Sequence, residues 1–443
     1  MSVSTGEFSA PLAQQRDKDA EAATPAPDGR RKGLSLTGGM RLLVLGVVAG
    51  VTVIKFLFAA NTFGTNDVRY WLRFTDAVRD HGPIGIYGLE FNGALYNHPP
   101  LTSYLLQLIS WLDFHGIGDV PFLIRVPATL ADVVTAVLVF ELVRRWHGLA
   151  HATVAGLLVA LSPVLIIVSG FHGNTDPVFV MFTLLSAFLL VAYRSPLTAA
   201  FAGVSYAAAV SVKLVPVMLL PVLLLVAFRS GWRRAVAFLA ASGVVMAALW
   251  GPVLLTHWRD FSDNVLGYQG IDIREWGLVK FVEWLELPEG FTDFLVGPGR
   301  FIALLLCAVL PVLMVWRRPA ALGPAVGVAF GLFLLLSPAF GMQYLVWPLA
   351  AAYLVNVWLA TVYNALSSVF LILIYGTWNG NPYPWEWDVA RAFPIATTRP
   401  YVLAVSIWLA LAAVVVAGLL LLRRPRPGDP GGPANDDSLT VLS

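Results

Sequence analysis

Residues 400–422 read PYVLAVSIWLALAAVVVAGLLLL, a run without an acid or a base, and Arg423-Arg424 follow at once. A helix of that length rises about 34 Å, enough to cross a hydrocarbon core of about 30 Å. Runs of the same kind recur at 39–60, 122–143, 149–169, 177–193, 196–212, 214–228, 234–255, 300–316, 320–336, 341–356 and 361–378. The whole chain carries the same message. Of its 443 residues 58% are apolar and 13% charged, where a soluble protein has about 25% charge. So little charge cannot cover so much apolar surface in water. The expected fold is all-α, a polytopic membrane bundle of about 12 transmembrane helices. The single cysteine, Cys307, excludes an intrachain disulfide and a Cys-x-x-Cys metal site.

Twelve spans put both ends of the chain on one side, and the bases choose it. Arg30, Arg31, Lys32 and Arg41 flank the first run. Arg144-Arg145, Arg194, Arg229, Arg233, Arg234, Arg317-Arg318 and Arg423-Arg424 mark the later connections on that side. By the positive-inside rule this side is cytoplasmic. A further run, 101–112, follows Pro99-Pro100 and is too short to cross; it reads as an interfacial helix. Residues 1–38 and 423–443 are polar and read as disordered cytoplasmic tails around a transmembrane domain at 39–422. The first tail lacks the apolar core of a signal peptide. Of 27 Asp and Glu, 17 lie in or beside 61–121, 256–299 and 379–399, or at Asp176. Large acidic loops on an otherwise short-looped bundle point to chemistry on the outer face.

The first outer segment, 61–121, contains a clear amphipathic pattern. Asn66 is suited to cap a helix in which Val68, Trp71, Leu72, Thr75 and Val78 share one face and Arg69, Arg73, Asp76 and Asp80 the other. His81-Gly82-Pro83 should stop it. Such a helix is expected to lie on the membrane surface. Asp67 falls in its first turn, where the helix dipole favours a carboxylate. In 256–299, residues 276–286 have helical amphipathic spacing, with Trp276, Phe281 and Trp284 among acids. In 379–399, Tyr383, Trp385 and Trp387, with Trp378 just before, fit an interfacial aromatic belt or a sugar-stacking surface.

Residues 66–71 (NDVRYW) and 95–106 (LYNHPPLTSYLL) together resemble the first luminal loop of GT-C glycosyltransferases. The nearest pattern is that of the ER glucosyltransferases that use dolichyl-phosphate-glucose, with Asn97-His98 standing where a Tyr usually precedes Pro-Pro. Further along, Arg125-Val126-Pro127 with Asp132, the turn Phe171–Asp176 and Lys213-Leu214-Val215-Pro216 are similar to the family's outer junctions. Ser337-Pro338 and Gln343–Trp347 resemble a segment of the first mannosyltransferase of GPI-anchor synthesis. The resemblance implies a GT-C helix bundle. It also implies transfer of a hexose, mannose ahead of glucose, from a polyprenyl-phosphate donor to an acceptor hydroxyl with inversion.

That chemistry needs a carboxylate for the hydroxyl proton and a cation for the leaving phosphate. The resemblance puts the catalytic carboxylate at Asp67. Lys213, set among apolar residues at an outer helix end, is the first candidate for the phosphate, with Arg125 and Arg300 beside it. His98, Tyr96, His172, Asn174, Asp176, Gln343 and Tyr344 are candidates for substrate contacts. No metal site is expected and no cofactor is required, although a divalent cation is compatible with the outer acids. The partners implied are the lipid-linked sugar, a lipid, polysaccharide or protein acceptor, and membrane lipid. Nothing in the chain suggests nucleic acid. The competing class is a 12-helix secondary transporter or lipid flippase. Against it stand the absence of an internal repeat and the scarcity of charge inside the spans, where Asp132 and Glu141 are the acids noted. The Ala-, Val-, Leu- and Arg-rich composition fits a bacterial plasma membrane.

Overall fold

A computed structural model describes residues 35–91, 94–268, 276–376 and 400–423. The chain divides into two units, 1–39 and 40–443, and the site lies wholly within the second. Most of both expected tails, and Trp378, Tyr383, Trp385 and Trp387 of the third outer segment, lie outside the described residues.

Among the described residues there is no strand beyond an isolated bridge between Phe91 and Ala94. The main helices are α1 Leu36–Asn61, α2 Asn66–Gly85, α3 Pro100–Phe114, α4 Val126–His147, α5 Leu149–Ala160, α6 Asp176–Ala192, α7 Pro196–Val212 and α8 Leu220–Arg229. They continue with α9 Trp232–Thr256, α10 Gly277–Trp284, α11 Glu289–Val296, α12 Gly299–Arg317, α13 Leu322–Leu336, α14 Val346–Val355, α15 Val357–Gly376 and α16 Pro400–Leu419. Eight of the described helical stretches are long and apolar enough to cross a membrane. The other four expected spans are helical too, but shorter: Asp176–Ala192, Pro196–Val212, Val215–Arg229 and Met342–Val355. A 17-residue helix such as α6 or α7 rises only about 26 Å.

Close approach of helices rests on small residues, as expected where lipid offers no hydrophobic drive between helices. A Cβ on Gly203 of α7 would stand 2.2 Å from the Phe238 carbonyl of α9. Ser242 of α9 donates to the Gly203 carbonyl at 3.0 Å. Two ionic clusters tie the bundle. Lys55 of α1 and Asp132 of α4 form a fully buried pair at 2.5 Å, and Ser169 also donates to the same carboxylate oxygen. Lys55 therefore joins Asp132 and Glu141, the in-span charges noted from sequence. At the end expected to be cytoplasmic, Glu141 gathers Arg41, Arg144 and Arg145.

The segment 61–121, expected to face outward, departs from expectation in two ways. The helix cap is Thr65, not Asn66: Thr65 Oγ1 accepts the Asp67 N–H. The apolar face of α2 does not lie open to lipid. Val68, Trp71, Phe74, Thr75 and Val78 are buried by the chain itself, with Phe74 packed edge-on against Phe91 and Tyr96. Arg79 reaches down to α3, where it donates to Ser110 and pairs with Asp113 at 2.7 Å. The break occurs where the sequence predicts it. Gly82 has φ +76° and Pro83 restarts a last turn, since Pro cannot supply the N–H that would continue the helix.

Candidate active site

The sequence places Asp67 immediately after a turn that only a particular backbone permits. α1 ends at Asn61, and Gly64 (φ +97°) reverses the chain into α2. A Cβ on Gly64 would meet Arg125 Nη2 at 2.1 Å and the Phe171 carbonyl at 2.7 Å, so both the sign of φ and the space demand glycine. Arg125 is fully buried. Its guanidinium donates to the carbonyls of Ala59 and Thr62 at 2.9 and 2.8 Å and to that of Phe63. It thereby satisfies carbonyls at the end of α1 that have no helical partner. Arg125 is thus a clamp beneath the site rather than the phosphate ligand anticipated from sequence.

A second turn, 172–176, faces the first. Gly173 is left-handed (φ +79°), and a Cβ there would stand 2.6 Å from Val68. Two bonds staple this turn to α2. Thr65 Oγ1 donates to the His172 carbonyl at 2.9 Å, and Trp71 Nε1 donates to the Gly173 carbonyl at 2.7 Å. The turn delivers His172 to Asp67: Nε2 lies 2.9 Å from Oδ2. Nδ1 of the same ring lies 2.5 Å from the Tyr375 hydroxyl at the end of α15. The His172 side chain is 4% exposed and that of Asp67 37%. Asp67 is therefore open on one side and held on the other. Burial alone would raise its carboxyl, but the charge and hydrogen bond of His172, then His98 and Lys213, outweigh burial and hold it below the ordinary value.

Lys213 caps α7 and completes the cluster. Its Nζ lies 2.6 Å from Asp176 Oδ1, 4.9 Å from the Tyr344 ring and 5.0 Å from that of Trp347. Asp176 itself is buried. Its second oxygen accepts the Trp347 N–H at 2.7 Å, and its backbone N–H is capped by Asn174 at 2.6 Å. These groups come from one end each of α6, α7 and the Met342–Val355 helix. They are three of the four short apolar helices, and the fourth, Val215–Arg229, begins two residues after Lys213. The shortness of these helices and the convergence of polar groups are one feature of the fold.

His98 closes another side. Its ring lies on Trp71, centroids 4.6 Å apart. Burial first, then Lys213, push the imidazole down to about 3 against the pull of Asp67, so it is neutral at physiological pH. Tyr268 also belongs to the cluster. Burial and then Tyr344 push its phenol up to about 12, against Lys213 and a hydrogen bond with the Asn97 side chain.

Asp67, Lys213, His98 and Tyr344 are thus brought together, with Asp67 and Lys213 partly exposed. His172, Asn174 and Asp176 are brought there as well, but buried and engaged with one another's neighbours rather than presented to a substrate. Tyr96 is a core residue, packed edge-on against Phe74 and Tyr87. Gln343 folds back against Gly341. Arg300, at the start of α12, stacks on Phe301. Trp276 is buried, donating to the Leu334 carbonyl and stacking on Phe340. Tyr375 and Tyr268 escaped the sequence reading, because a lone tyrosine at a helix end or in an acidic loop looks like interfacial belt. Among the described residues, no group of three or more His, Cys, Asp or Glu could hold a metal ion. The two carboxylates of the cluster already face His172 and Lys213.

Residues 97–255, a little over a third of the chain, match the family model described as dolichyl-phosphate-mannose-protein mannosyltransferase. No curated protein matches the chain in sequence. The fold is similar to the crystal structure of ArnT from Cupriavidus metallidurans in the apo state. That likeness covers 87% of this chain and 77% of the other, with 15% identity and a TM-score of 0.45.

Proposed function

We propose that the chain is an integral membrane glycosyltransferase of GT-C type that moves one hexose, mannose ahead of glucose, from a polyprenyl-phosphate donor to an acceptor hydroxyl on the outer face of the membrane. The observation that carries this reading is a half-open carboxylate, Asp67, kept ionised and sharing one cluster with a partly exposed cation, Lys213. The match of 97–255 to a family that uses a lipid-phosphate mannose donor supports the donor class.

In this mechanism the acceptor oxygen attacks C1 of the sugar as its proton passes to Asp67. The bond from C1 to the phosphate oxygen breaks, and its electron pair leaves with the polyprenyl phosphate. Attack opposite to departure inverts the anomeric centre. Lys213 offsets the charge that grows on the leaving phosphate, while Tyr344 and Trp347 hold the ammonium from below. Trp71 fixes the neutral His98 ring at the rim, where it can hydrogen-bond sugar without competing for the proton. The recessed cluster, at the ends of four short helices, suits a phosphate carried near the membrane surface.

The test is transfer by purified protein. Radiolabelled polyprenyl-phosphate-mannose and -glucose are each supplied with membrane-derived acceptors, and the anomer of the product is read by NMR. Transfer from the mannose donor with inversion is expected. Asp67→Asn should lower kcat by about 10²–10⁴-fold with Tm unchanged. No transfer from either donor, together with solute flux in proteoliposomes, would replace this reading by the transporter.

A further inference from the structure

The two ring nitrogens of His172 are both engaged, and this gives the residue a role distinct from substrate contact. An ionised carboxylate only accepts hydrogen bonds. The ring nitrogen 2.9 Å from Asp67, Nε2, must therefore carry the hydrogen. Nδ1 lies 2.5 Å from the Tyr375 hydroxyl, a group that can donate to the ring or accept from it. We propose that Asp67 and Tyr375, one at each ring nitrogen, hold the His172 ring in place, and that His172, so held, is the positioning residue that holds Asp67 Oδ2 and leaves Oδ1 alone to meet the acceptor hydroxyl.

The surroundings favour this arrangement. His172 is nearly wholly buried, so water does not compete for its ring. Its backbone carbonyl is held by Thr65, the cap of the helix that carries Asp67, so carboxylate and imidazole are set by one local unit. The ring sits edge-on to Tyr375, centroids 5.5 Å apart, and Phe171 packs on the other part of that tyrosine at 5.8 Å. The proton received by Asp67 stays on the oxygen facing the acceptor. His172 keeps its own Nε2 hydrogen throughout and exchanges none in the step. The groups that face Asp67 are His172 from the 172–176 turn, His98 from the loop before α3 and Lys213 from α7. Tyr268, Tyr344 and Tyr375 stand beyond them. With the His172 bond removed, the carboxyl loses part of what holds it down, and its titration moves toward the ordinary range.

This inference rests on the transferase reading for its kinetic readout, and a second readout keeps the two separable. In full-length protein labelled with ¹⁵N-histidine, the His172 ring should show a protonated Nε2 bonded to Asp67. Tyr375→Phe should change the Nδ1 shift by removing its hydroxyl partner, and Asp67→Asn should alter the Nε2 shift. In transfer assays His172→Ala should lower kcat about 10- to 100-fold at unchanged donor KM and raise the acid limb of the pH profile. His172→Gln, whose amide N–H can reach the place of Nε2, should recover a good part of both. Nδ1 found protonated in place of Nε2, or an Ala variant with the wild-type acid limb and kcat, would overturn the proposal. Absence of transfer in wild-type protein would defeat the transferase reading and leave the tautomer measurement to decide this one.

Discussion

At the scale of single residues, Lys213 shows how a site group can also be structural. Its ammonium neutralises the buried Asp176, and deleting one partner of a buried pair costs about 3–5 kcal/mol because the other charge is stranded. Lys213→Ala is therefore expected to lower Tm as well as weaken donor binding. Lys213→Arg should keep the fold and change donor KM alone, since a guanidinium also pairs with Asp176 and stacks on aromatic rings but presents a wider, planar fork to the phosphate in place of a compact point charge. Equal KM for the Arg variant and wild type would remove Lys213 from the donor site. His98 gives a pH prediction. Its folded value, about 3, lies below the roughly 6.5 of an unfolded histidine. The unfolded chain thus binds the extra proton, so the stability is fully present above pH 6.5 and is lost as pH falls toward 3. Between pH 6.5 and 5 the loss is at most about 2 kcal/mol. Thermal unfolding in detergent at the two pH values, for wild type and His98→Gln, should show the variant losing less. Asp67, His98 and Lys213 could be read in sequence because each interrupts a pattern: an acid at a helix start, a His before Pro-Pro, a base in an apolar run. Tyr375 could not, since its meaning depends on His172, 203 positions away.

At the scale of elements, sequence foresaw α2 and its break but not what covers it. Periodicity reveals that a face is apolar and is silent on whether lipid or protein meets it. Here protein does, through α3 and the loop before it, so α2 is a rigid mount for Asp67 rather than a float. Trp71→Phe tests the mount. It keeps most of the ring but leaves the Gly173 carbonyl without its donor, at a cost of about 1–3 kcal/mol. Both kcat and Tm should fall; a variant with wild-type kcat would mean the two turns hold register without this bond. The contact of α7 with α9 offers a sharper contrast. Gly203→Ala drives a methyl into the Phe238 backbone, which cannot swing aside. Gly243→Ala on α9 meets nothing within 4 Å and improves helix propensity by about 0.5–1 kcal/mol. The first should lower Tm and the second leave or raise it, as followed by thermal unfolding of each variant in the same detergent.

At the scale of the molecule, hydropathy marked the twelve apolar helices, because burial in lipid demands an apolar residue at nearly every position of a span. It could not rank them by length, since a polar group ending a span looks like its natural boundary. Four of the helices stop short where Asp176, Lys213 and Tyr344 gather, and that shortness makes room for the site. Hydropathy also passed over Lys55, one base in the first run, whose partner Asp132 is 77 positions away. The pair sits where an unpaired charge is most costly, with both side chains almost wholly hidden, and it joins α1 to α4. These helices bracket the turn that carries Gly64 and the Arg125 clamp. If the pair is a fastener, its value lies in each charge compensating the other rather than in net attraction. Lys55→Met or Asp132→Leu alone should then cost about 3–5 kcal/mol, and the double variant should regain most of the lost Tm by replacing two charges with apolar groups. Transfer activity should follow stability in all three. A double variant that is as stable as wild type yet devoid of transfer would show instead that the buried charges serve the chemistry above them.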